Sequence, residues 1–386
     1  MVSVRQPVVP PHRVVLRACQ CCQSPQEHHM KKLLICLDGT WNEAADNAAQ
    51  DDTNVIRLFR AAQHFKSPSQ LAFYFQGVGS KLFEKLRGGI LGHGLFDQVK
   101  QAYQEIVNNY TPGDRIFIAG FSRGAFSARC LASFIATCGI LQNHTLDVAD
   151  FLDNRAIEEL WELYAQRSEE RAKLNSFCAA NCFPRKEPIV EAVAVWDTVG
   201  ALGIPWGIFE QNSAVELLSK VNARKYSFLD PELPSSIPRA YHAVALDEQR
   251  VPFEPSLFSG PRVDNGQIQQ VWFAGAHSNV GGGFADTGLS DIALDWMIRQ
   301  LSSNHGLNLQ PVKLDPAGLW DPVGQTDMDK KATKVDPKRL HLLRPRIVTA
   351  NALLHPSADQ RLKGAPGHDP IPCKAQFQGP YQIAPN

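Results

Sequence analysis

Three things are missing from this 386-residue sequence, and each absence closes off a class of function. The first is charge of one sign. Lys plus Arg and Asp plus Glu both number 39, and no basic block stands out. Without a basic face there is no electrostatic footprint for nucleic acid, and none is expected as a partner. The second is a long apolar run: no stretch approaches the ~18 residues that a membrane-spanning helix needs. The first 29 residues also lack the sustained apolar core of a secretory signal, so a cytoplasmic location in the producing cell is expected. The third is an ordered set of cysteines. The nine present are scattered, several fall inside expected strands or helices, and the number is odd. This argues against a complete disulfide framework, and a reducing compartment is the simpler reading.

What is present suffices for a large core, since 44% of residues are hydrophobic. The length allows one large α/β domain with excursions or two modest ones. Residues 1–29 differ from the rest, with four prolines, Cys19-Gln20-Cys21-Cys22 and the pair His28-His29. Their spacing matches no closed zinc site, so no metal or other cofactor is expected, and the segment reads as a disordered extension. Met30 opens directly into a first strand and reads as a natural start. Residues 30–301 are expected to form the catalytic domain, with excursions at about 147–175 and 201–237. Residues 302–386 are rich in proline and polar residues and are expected to form a loosely structured tail packed on that domain.

The most informative stretch is Gly120-Phe121-Ser122-Arg123-Gly124. The apolar run Arg115–Ala119 before it reads as a buried strand, and Ala125–Ala132 after it as a helix with small residues facing inward. Strand, G-x-S-x-G and helix together describe the nucleophile elbow, in which the serine occupies a turn too tight for side chains on either flank. Further strands are expected at 32–37, 70–75, 189–196, 239–246 and, as the last, 269–274. Helical spacing follows at 96–106 and 290–301. Strands alternating with helices imply an α/β-hydrolase-like, doubly wound, mostly parallel sheet.

Functional groups in such a sheet gather at the carboxyl ends of the strands. A serine nucleophile needs a base within reach. Of the twelve histidines, His277 is the best placed, in a Gly-rich loop after a late strand; His93 and His242 compete more weakly. Two acids remain open. Asp197 follows an almost wholly apolar strand and is favoured, whereas Asp247 stands in a charged cluster where Arg250 is available as partner. The oxyanion donors would be the Arg123 amide and, from the loop after the first strand, Gly39 or Thr40, unless that loop is only a turn. The apolar residues of 201–229, Trp206 among them, are candidates for an acyl-chain cap.

Six phrases taken together resemble one family. They are Asp38-Gly39-Thr40-Trp41-Asn42, Gly77-Val78-Gly79, Gly120–Ala125, Trp196–Gly200, Ala245–Glu248 and Trp272–Gly283, spread from about residue 31 to 300. The family is the α/β-hydrolase domain that includes the type VI secretion phospholipase effectors. The resemblance implies a serine esterase acting on phospholipids, with Ser122, Asp197 and His277 as its triad. It also implies peripheral membrane contact, a secretion-apparatus or immunity partner, and delivery without a signal sequence. A small-ester esterase and a catalytically silent binding scaffold are the alternatives.

Overall fold

The computed structural model describes residues 30–39, 52–65, 67–77, 93–142, 155–184, 189–200, 233–321, 323 and 343–385. The 1–29 extension, Thr40 and Trp206 with most of its excursion lie outside the described residues. Six strands form the centre: β1 Lys32–Leu37, β2 Gln70–Phe75, β3 Arg115–Phe121, β4 Val190–Trp196, β5 Arg239–Ala245 and β6 Ile268–Phe273. They alternate with helices that include α1 Asn54–Gln63, α2 His93–Asn109, α3 Arg123–Cys138, α4 Arg155–Ala165 and α5 Arg171–Asn181. After β5 come α6 Pro261–Asp264, α7 His277–Gly281 and α8 Gly288–His305.

These strands are legible as apolar runs because both faces of the sheet are covered. Leu33, Ile35 and Leu37 of β1 enter one buried cluster with α2 and α3, while Leu34 and Cys36 enter another with α1 and α8. A parallel strand buried on both sides has no solvent face to mark with polar residues. In the first excursion, α4 places Trp161 and Tyr164 around Phe134 of α3, with ring centroids 5.2 and 5.0 Å apart.

The tail packs on the domain through short elements. It carries β7 Ile347–Val348, β8 Leu353–Leu354, α9 Pro356–Lys363, β9 Gln376–Phe377 and β10 Gln382–Ile383. Two of these short strands join the main sheet, whose order is β10-β8-β6-β5-β4-β3-β1-β2. All its pairings are parallel. The strand at 268–273 is therefore not the last. Two-residue strands hold no period from which a sequence reading could detect them.

From β1 the chain passes to β2 on one side, then returns to β3 on the other. The winding direction thus reverses between β1 and β3, and such switch points open a crevice at the strand carboxyl ends. Asp38 and Gly39 follow β1, and Ser122 follows β3. The topology brings these residues together.

Candidate active site

The elbow is built as its glycines require. Ser122 adopts φ 59° and ψ −123°, a conformation that L residues rarely enter. A Cβ on Gly120 would lie 2.4 Å from the Gly124 carbonyl oxygen, and one on Gly124 would lie 2.2 Å from the Leu37 carbonyl oxygen. Neither position admits a side chain. Gly39 is tight as well: a Cβ there would stand 3.1 Å from Ser122 Cβ. The Ser122 amide donates to the Trp196 carbonyl at 3.1 Å, tying the turn to the end of β4.

His277 begins α7 in the loop after β6. Its Nε2 lies 2.9 Å from Ser122 Oγ, and its Nδ1 lies 2.6 Å from Asp197 Oδ2. An ionised carboxylate only accepts, so Nδ1 carries the proton and Nε2 is left to accept from the serine hydroxyl. The ring sits between Phe121 and Phe253, at centroid distances of 4.5 and 4.8 Å. Gly275, at φ 111°, lets the loop fold close to Asn279, whose side chain accepts from the Ala276 amide at 3.1 Å.

All three side chains are buried: Ser122 is 6%, His277 4% and Asp197 0% exposed. Burial lowers the pKa of His277, against the pull of Asp197 and Glu248, so the imidazole is held neutral. For Asp197 burial works upward, but the Arg346 charge and the His277 and Arg346 hydrogen bonds outweigh it. The carboxyl is thereby held below its ordinary range.

Asp197 has more donors than the histidine alone. The Ala245 amide donates to Oδ1 at 2.9 Å, and Arg346 spans both oxygens, Nη1 to Oδ1 at 2.6 Å and Nη2 to Oδ2 at 2.9 Å. Beside it, Glu248 is gripped by Arg250 through Nε and Nη2, both at 2.8 Å, and accepts from the His277 amide at 3.3 Å. Arg250 in turn lies over the Phe253 ring, 3.7 Å from its centroid.

Asp247 lies away from the imidazole contact: it accepts from the Gly275 amide at 2.6 Å and the Lys374 amide at 2.7 Å. Arg250 pairs with Glu248 rather than Asp247, because Glu248 turns inward. His242 is buried within β5, where Nε2 accepts from the Thr198 amide at 3.1 Å, and burial lowers its pKa to about 3. His93 is in α2, with its side chain outside the described residues. The Gly39 amide donates to Asp38 Oδ1 at 2.7 Å, and Asp38 also accepts from Thr53 at 2.6 Å and Tyr74 at 2.8 Å. Arg123, whose amide follows the serine, opens α3, and burial lowers its guanidinium to about 10. Sequence reasoning missed Arg346 and the inward role of Glu248. In sequence Glu248 reads as part of a solvated cluster, and Arg346 belongs to a stretch without periodicity. Among the described residues no group of three or more His, Cys, Asp or Glu side chains is placed to hold a metal ion. No helix among them is long and apolar enough to cross a membrane.

A parallel sheet of this order, with a strand–turn–helix serine at its switch point and a histidine brought to it by a later loop, defines an α/β hydrolase. Residues 31–300 match the family model described as the T6SS phospholipase effector Tle1-like catalytic domain, and the chain belongs to that family. An uncharacterised protein of Saccharomyces cerevisiae is 26% identical over 267 residues, covering 61% of this chain and 36% of that protein. The chain thus spans little more than a third of that relative. Among solved structures, an uncharacterised protein from Pseudomonas aeruginosa matches at TM-score 0.40 and 18% identity, over 76% of this chain and 47% of that one. The Tle1 effector bound to the VgrG spike of the type 6 secretion system matches at TM-score 0.31 and 17% identity, over 66% and 51%. A thermophilic esterase from Thermogutta terrifontis matches at TM-score 0.39 and 13% identity, over 72% and 83%.

Proposed function

We propose that the chain is a serine hydrolase of carboxylic esters that works through an acyl-enzyme. Ser122 Oγ attacks the ester carbonyl while His277 Nε2 takes the hydroxyl proton. The leaving alcohol departs with that proton, and water, activated by the same imidazole, then releases the acid. Asp197 keeps the imidazole in the required tautomer and stabilises the imidazolium. The observation that carries this reading is the continuous contact Ser122–His277–Asp197, at 2.9 and 2.6 Å, on a serine held at positive φ.

The developing oxyanion would be met by the Arg123 amide at the positive end of α3 and by the Gly39–Thr40 loop. The Gly39 amide serves only by sharing or releasing its bond to Asp38. Family membership supports a phospholipid as the substrate, cleaved in the manner of a phospholipase A, with peripheral contact to the lipid surface. It also supports a secretion-apparatus partner, with delivery that needs no signal sequence.

The test is fluorophosphonate labelling together with hydrolysis of p-nitrophenyl esters and of mixed phospholipid vesicles. Wild type should be labelled and should release fatty acid from the vesicles. Ser122→Ala should lose both properties with an unchanged melting curve. A folded Ser122→Ala variant keeping more than about a thousandth of the rate overturns the mechanism. Hydrolysis confined to short esters would select the small-ester reading, and absence of labelling the silent scaffold.

A further inference from the structure

Two of the donors on Asp197 come from a residue 149 positions away, beyond the segment that the family match covers. Arg346 is 2% exposed and immediately precedes β7 in the tail. We infer that Arg346 is a positioning residue of the active site, its guanidinium fixing the Asp197 carboxylate that orients His277. The inference rests on the Ser122–His277–Asp197 reading above.

The geometry argues for positioning rather than for simple charge pairing. Arg346 uses four of its five N–H donors, and only Nε–H has no partner among the described residues. Two reach the two oxygens of Asp197. The other two reach the carbonyls of Ala245 at 2.6 Å and Phe253 at 2.7 Å. A planar fork held at both ends sets the plane of the carboxylate. Asp197 needs that hold, because its backbone stands at φ 38° and its carboxylate is wholly buried. The same fork fixes the carbonyl of Phe253, whose ring packs against His277. The peptide carrying it is anchored independently, since the Arg344 amide donates to the Gln249 carbonyl at 2.8 Å and the Gln376 amide donates to the Arg346 carbonyl at 2.8 Å.

Arg346 also balances charge around the imidazole. His277 is faced by two carboxylates, Asp197 and Glu248, and each is covered by one guanidinium, Arg346 and Arg250 respectively. Arg346 itself faces Asp197, Glu248 and Glu254. With both carboxylates offset, burial keeps His277 neutral and able to accept the serine proton. Removing Arg346 exposes the imidazole to an uncompensated Asp197 charge. The imidazolium is then favoured, and activity is lost at a higher pH as pH falls.

The full-length protein is assayed with p-nitrophenyl butyrate in four forms beside wild type: Arg346→Met, Arg346→Lys, Arg346→Ala and Ser122→Ala. Arg346→Met should lower kcat on the order of 10²-fold, the scale of a misplaced catalytic group, with KM little changed. The acidic limb of its kcat/KM profile should move up by about one pH unit. Guanidinium ion, well below denaturing concentration, should restore part of kcat to Arg346→Ala, while sodium at equal ionic strength should not. If Arg346→Met does not fold, Arg346→Lys decides. It keeps a cation that cannot span both oxygens and both carbonyls, so a several-fold loss in kcat supports the inference and a wild-type kcat overturns it. An inactive Ser122→Ala beside a folded Arg346→Met with wild-type kcat and acidic limb removes the role of Arg346 alone. An active Ser122→Ala removes the reading on which it rests.

Discussion

Among the described non-glycine residues only Ser122, Asp197 and Asn351 have positive φ, and the first two touch the same imidazole. Each such conformation costs on the order of 1–3 kcal/mol and persists where neighbours over-determine it. The Asp197 amide donates to the Ala243 carbonyl at 2.7 Å, and its side chain is held by Ala245, His277 and Arg346. The two candidate acids therefore make opposite predictions. Asp197→Asn should cost on the order of 10⁴ in kcat by favouring the wrong imidazole tautomer. It should also lower the melting temperature, because Arg346 is left as a buried charge. Asp247→Asn removes one acceptor for a buried backbone amide and should cost about 1–3 kcal/mol of stability, with kcat within several-fold of wild type. Rates measured below both melting transitions separate the two, and the reverse ranking would make Asp247 the orienting acid.

At the scale of elements, the turn between β3 and α3 is specified by its surroundings more than by its own residues. The flanking glycines are legible in the sequence because strand, elbow and helix require them, and the strand runs are legible because β1, β3 and β4 are buried on both faces. Gly120 meets Gly124 within the elbow itself, but the partners of Gly124 are not legible, because they lie at the end of β1. A Cβ at Gly124 would meet the carbonyl oxygen of Leu37 at 2.2 Å and the carbonyl carbon of Asp38 at 2.6 Å, both backbone atoms at the end of β1. No rotamer change relieves such a contact, so Gly124→Ala must push the end of β1 away from the start of α3. It should cost about 3 kcal/mol or more and reduce kcat together with stability. Gly113, in the turn before β3, has φ 100°, and a Cβ added there would have no neighbour within 4 Å, so Gly113→Ala meets only backbone strain. That strain costs about 1–2 kcal/mol and should leave kcat unchanged. Urea unfolding of both variants checks the difference, and equal costs would mean that the elbow can relax.

At the scale of the whole molecule, the stretch after residue 302 is joined to the sheet that carries the site. The proline-rich stretch after residue 302 offers little periodicity, and its long-range contacts depend on pairings that sequence spacing does not encode. In the structure it supplies β8 and β10 beside β6, and it sends Val348, Leu354 and Ala358 into a cluster with Val244, Leu246 and Trp272. It is pinned at Asp247 through the Lys374 amide, and the His355 amide donates to the Trp272 carbonyl at 2.9 Å. A chain ending at Asp321 would keep α8 and all six central strands but lose this strap. The β6 edge, with Val271 and Trp272, would then be open to pairing with other chains, the usual route to aggregation for an apolar edge strand. Asp197 would simultaneously lose the two bonds from Arg346. The shortened protein should therefore melt at lower temperature, bind a hydrophobic dye and aggregate. Any soluble fraction should be at least as impaired in kcat as Arg346→Met. Thermal melts, light scattering and esterase assays on the same preparation test this. A shortened chain that melts cooperatively and matches full-length activity would show that the catalytic domain is complete without its tail.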